Sequence, residues 1–128
     1  GQSEVNGERR QNITPTNQPI PTAEYTIEIT SSGFSPSNLE IRAGDKVAWI
    51  NRDSKPHWPA SAIHPTHNVY PGSDIAKCGT AEEPNIFDAC HGLAQGESWS
   101  FTFSQVGSWN YHDHLVVRNT GRIVVGWN

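Results

Sequence analysis

The 128-residue chain has no methionine and only two cysteines, Cys78 and Cys90. Its apolar runs are short: Ile123 to Val125 is typical, far from the roughly 20 residues of a membrane helix. Basic residues are outnumbered, nine Lys and Arg against thirteen Asp and Glu, for a net charge of −4. That balance excludes the basic patch a nucleic-acid binder needs. No stretch repeats with a helical period. Neither a Ser-His-Asp motif nor a glycine-rich phosphate loop is evident, so hydrolase and nucleotide-binding readings find no support.

What the chain does have is aromatic bulk. Five Trp, four Phe and three Tyr supply apolar area for one core although only 34% of the residues are hydrophobic. Residues 1–22 are dominated by Gln, Asn, Thr, Pro and charged side chains. Such a segment buries too little apolar surface to offset its ordering entropy, and it reads as a flexible tether. The domain is expected over residues 23–128.

From Tyr25 the pattern has period two. Tyr25, Ile27 and Ile29 alternate with Thr26, Glu28 and Thr30, as in a half-buried strand. Leu39 and Ile41, then Val47 and Trp49, then Trp99, Phe101 and Phe103 continue it. Trp109 to His114 and Arg122 to Trp127 read as the last strands. Short strands at this spacing argue for an all-β sandwich or barrel. Between Asn51 and Glu97 the strand pattern fades. A long connection of that kind is usually functional or disordered, and this one holds four of the six histidines and both cysteines.

The cysteines lie twelve positions apart across a polar, Gly- and Pro-containing stretch. A disulfide is the expectation, with a chain-entropy gain of roughly 3 kcal/mol, and it implies an oxidising compartment. The alternative is a metal-binding thiol, for which His91 beside Cys90 could supply an electropositive setting.

The histidines are His57, His64, His67, His91, His112 and His114. His112 and His114 lie two apart in an expected strand, so both leave one face and can converge on one ion; Trp109, Tyr111 and Asp113 leave by the other. His57 directly follows a strand, and His64 and His67 are joined through Pro65. These five are candidate ligands, whereas His91 has no strand partner and reads as a bystander.

Several of these residues carry a family resemblance. Phe34-Ser35-Pro36, the Ala43-Gly44-Asp45 turn, Val47 to Asn51 and the following His57 resemble the front half of a cupredoxin, the plastocyanin/azurin-like β-sandwich. Glu97 to Phe103, then Gly107, Trp109, Tyr111 and Gly121 to Val125 resemble its back half. The metal site departs from the family's blue-copper pattern of His and Cys with a weak axial ligand, because neither Cys nor Met follows Cys90. Instead, Tyr111-His112-Asp113-His114 and His57-Trp58 resemble the His-x-His and His-Trp motifs of multicopper oxidase domains, which bind copper by imidazole alone. That resemblance implies His57, His112 and His114 as ligands. His64 and His67 rest on chemistry alone, one of them as the fourth.

The expectation is therefore an all-β, cupredoxin-like Greek-key sandwich of about seven or eight strands with a long metal-site loop, in an extracytoplasmic copper-binding protein with a histidine-only site, periplasmic, cell-surface or secreted. Its role would be copper handling or electron transfer with a redox or copper-transfer protein partner, and the N-terminal segment could tether it. The alternatives are a small copper oxidase or dismutase with an open coordination position, and a zinc-binding or structural metal domain. Four protein ligands would close the site and three would leave it open.

Overall fold

The computed structural model describes residues 21–128. The tether expected over residues 1–22 lies outside them but for its last two positions. Eight strands follow in chain order: β1 Glu24–Thr30, β2 Gly33–Ser35, β3 Asn38–Arg42, β4 Lys46–Asn51, β5 Pro59–Ser61, β6 Ser98–Thr102, β7 Gly107–Asp113 and β8 Thr120–Gly126. They form two four-stranded sheets, ordered β2-β1-β4-β6 and β3-β8-β7-β5. Both sheets are mixed: β1 runs parallel to β4 and β3 parallel to β8, while β4–β6 and β7–β8 are antiparallel. The fold is an all-β sandwich with almost no helix, as the alternating pattern predicts. No helix among the described residues is long and apolar enough to cross a membrane.

The alternation decides what each strand buries. Ile27 and Ile29 of β1 and Val47 and Trp49 of β4 are fully buried, while Glu24, Thr26 and Glu28 are exposed. Trp49 is the hub of the core, with ring centroids 5.2 Å from Trp99, 5.4 Å from Tyr111 and 5.5 Å from Phe87. Gly121 is set by that packing: a Cβ there would lie 2.4 Å from the Tyr111 ring, so only glycine admits the ring against β8.

The connection from residue 52 to residue 97 is ordered. It contributes β5 and two short 3₁₀ turns, Ile75–Lys77 and Glu83–Asn85. It also sends Tyr70, Ile86, Phe87 and Leu93 into the interior. Cys78 and Cys90 are joined as a disulfide across it. β5 pairs with the end of β7, Ala60 opposite His112 and Pro59 opposite Asp113. That pairing lays the histidine-bearing loop against the histidine-bearing strand.

Candidate metal centre

Tyr111 lies in the core, so His112, the next residue of β7, leaves by the opposite face of its sheet. His114 follows just after β7 ends, its backbone N–H donating to the Trp58 carbonyl at 2.7 Å. The segment after β5 folds over these two. The His64 ring lies 5.4 Å from that of His112 and 4.9 Å from that of His114; the His67 ring lies 4.8 Å from His112 and 4.9 Å from His114. One nitrogen from each of His64, His67, His112 and His114 lies within 4.8 Å of all the others. His67 and His112 are buried, His114 is half-buried and His64 is exposed. The backbone of His67 is in the left-handed region, at φ 57°, a conformation uncommon outside glycine and costly for it.

The donor set fits a metal ion. Around a tetrahedral ion with bonds of about 2.0–2.1 Å, nitrogens lie roughly 3.3 Å apart. His114 Nδ1 and His67 Nε2 are already 3.1 Å apart, and all four donor nitrogens lie within 4.8 Å of one another. Both ring nitrogens of His112 are buried without a hydrogen-bond partner in the protein. A buried polar group left unpaired costs about 1–3 kcal/mol, and a metal at the centre of the cluster would relieve that cost at one of the two atoms. Burial, and then repulsion from the imidazoles of His67, His64 and His114, pulls His112 down to about 4. The same causes, burial first, lower His114. Both rings are thus held neutral, the form that binds metal.

His57, expected as the third ligand, lies outside this group. It is buried, and its two ring nitrogens are engaged by carboxylates: Nδ1 by Asp113 and Nε2 by Asp53, the latter at 2.8 Å. Burial works against its charge, but the hydrogen bonds to Asp53 and Asp113 outweigh it and raise its pKa. Asp113 leaves β7 by the face opposite His112, as alternation requires, and reaches His57 there. His91 is exposed and stands apart from the cluster, with Nδ1 3.0 Å from the Ala89 carbonyl oxygen and Nε2 2.9 Å from the Glu97 carboxylate, both acceptors. Both cysteines are in the disulfide, so neither thiol is free to bind metal.

Two carboxylates that the sequence did not mark stand behind the histidines. Asp113 accepts from the Trp58 and Leu115 backbone N–H groups at 2.9 and 3.0 Å, which ties the turn after His112 to the loop. Asp88 contacts His67. Neither has a sequence signal, because each acts through a partner far along the chain.

The profile of the copper binding proteins of the plastocyanin/azurin family matches residues 21–115, and the chain belongs to that family. It is similar to amicyanin of Paracoccus denitrificans, 25% identical over 118 residues, 87% of this chain and 76% of that protein. It is also similar to plastocyanin of Solanum tuberosum, 27% identical over 97 residues, 74% of this chain and 89% of that one. In fold it is similar to a purple cupredoxin from Nitrosopumilus maritimus, with a TM-score of 0.60 and 23% identity over 79% of this chain and 98% of that chain. The family assignment carries copper and lends no support to the zinc alternative.

Proposed function

We propose that this protein holds one copper ion with His64, His67, His112 and His114, and that it handles copper or exchanges single electrons outside the cytoplasm. The observation that carries the reading is the convergence of four imidazoles, two of them buried, with the ring nitrogens of His112 left without a protein partner. Copper binding comes with the family. Nitrogen donors favour Cu(II) over the other divalent first-row ions. The chain contains no thiolate or thioether to take the place of an imidazole. When bound, the ion supplies one-electron chemistry. The protein's part is to hold four rings in place, keep His67 and His112 out of solvent and leave the His64 edge open.

The disulfide supports an extracytoplasmic setting, since such bonds persist where the surroundings are oxidising. A redox or copper-transfer protein is the partner class this implies. A second reading, a site that opens to a small substrate, is favoured by the exposure of His64 beside a cleft of about 790 Å³ that His64 and His112 both line. Calorimetric titration of Cu(II) into single alanine variants tests both. Loss of tight binding at each of the four positions supports the closed site, and loss at only His67, His112 and His114 supports the open one. Wild-type affinity in His67→Ala and His112→Ala contradicts both readings.

A further inference from the structure

Asp88 is 1% exposed, and among the described residues its one ion-pair partner is His67. Burying a carboxylate is costly unless its oxygens are met. Here both are met, asymmetrically. Oδ2 takes the Nδ1 side of His67 at 2.7 Å. Oδ1 accepts from the Trp58 indole N–H at 2.7 Å and from the Cys90 backbone N–H at 2.8 Å.

A carboxylate can only accept, so the proton it takes from the ring must sit on His67 Nδ1. A neutral imidazole has one N–H and one lone pair. The lone pair of His67 is therefore on Nε2, the atom 3.1 Å from His114 Nδ1 and turned into the cluster. The opposite tautomer would point a hydrogen at the place a metal must occupy. His67 and Cys90, the residues on either side of this carboxylate, both hold left-handed backbone, at φ 57° and 66°. Strain of that kind persists where the surrounding contacts over-determine it.

We propose that Asp88 is the positioning residue of the metal centre. It fixes the tautomer and tilt of His67. The Trp58 indole and the Cys90 amide hold its other oxygen, so the disulfide-bearing loop and the loop carrying His57-Trp58 meet on the same carboxylate. The inference rests on His67 being a ligand of the four-imidazole site.

The first test needs no metal. Long-range ¹H–¹⁵N NMR of the metal-free protein reads the His67 tautomer directly, and a protonated Nδ1 with a bare Nε2 is expected. A protonated Nε2 overturns the inference. The second test compares Cu(II) affinity and EPR spectra of wild type, Asp88→Asn and His67→Ala. In Asp88→Asn either the His67 contact or the pair of donors on Oδ1 loses its acceptor. The expected result is a loss of about 10–100-fold in affinity with altered copper hyperfine values. Unchanged affinity and spectrum in Asp88→Asn, with binding abolished in His67→Ala, overturns the role of Asp88 and leaves the four-imidazole site standing. Wild-type binding in His67→Ala overturns both. If Asp88→Asn does not fold, the tautomer of the metal-free wild type decides.

Discussion

His57 and His112 are both buried imidazoles at the same end of the sandwich, 3% and 4% exposed, yet their surroundings are opposite. His57 sits between two carboxylates, Asp53 and Asp113, and its hold on a proton is strengthened. His112 sits among three other imidazoles with no hydrogen-bond partner, and its pKa is pushed down to about 4. Carboxylates finish the first ring, and the protein leaves the second unfinished, with neither nitrogen paired. On the four-imidazole reading proposed above, what separates a metal ligand from a structural ring is whether the groups around it are acids that complete it or rings that need the same cation.

The largest effect should come from the unfinished side. His112→Ala and His67→Ala should abolish tight Cu(II) binding while the metal-free domain still folds, measured by calorimetric titration and near-ultraviolet circular dichroism. Removing the finished ring should act on the fold instead. His57→Ala leaves the Asp113 carboxylate buried without its cation, at a cost of roughly 3 kcal/mol. Thermal denaturation should then show a midpoint lower by on the order of 10 °C. Its copper affinity should fall far less than that of His112→Ala. Equal losses of affinity in the two variants would erase the distinction.

Acid sharpens the contrast, because the two rings contribute with opposite signs. His112 binds fewer protons in the folded state than in the unfolded chain, since its pKa is lowered from 6.5 to about 4. Its contribution makes the metal-free protein less stable as pH falls from 6.5 toward 4, and the loss levels off below that. His57 is raised above 6.5, so its contribution is full below 6.5 and is lost as pH rises through its folded value. Urea unfolding of the metal-free protein across this range should therefore show an acid-side loss that His112→Phe reduces and His57→Gln does not. The smallest effect belongs to His91, whose partner Glu97 is also exposed. His91→Ala should leave copper affinity unchanged and shift stability by less than about 0.5 kcal/mol.

The frame was legible in the sequence because its strands bury one face. Ile27 and Ile29, Val47 and Trp49, and Phe101 and Phe103 announce themselves by period two and end up in the core. β5 was not legible: Pro59, Ala60 and Ser61 are all buried, so nothing alternates. Nor was the buried half of the long loop, where Tyr70, Phe87 and Leu93 enter the core from irregular backbone. At the site, the strand expected to carry both His112 and His114 ends at Asp113, so His112 lies in β7 and His114 just past it; His64 and His67 lie beside them. His57 was read by motif. The motif does not say which acids will fold against the ring, and Asp53, four residues earlier, and Asp113, on another strand, were visible only in three dimensions. Asp88 escaped for the same reason: its partners His67 and Trp58 lie 21 and 30 positions away.

The spectrum of the Cu(II)-loaded protein bears most directly on the central claim, that four imidazoles and no sulfur hold the ion. Visible absorption should show only weak bands, with no intense sulfur-to-copper charge transfer, because both cysteines are locked in the disulfide. Pulsed EPR should count imidazole nitrogens from four rings in the wild type and from three in His64→Ala. An intense blue band, or a wild-type count below four, would contradict the account.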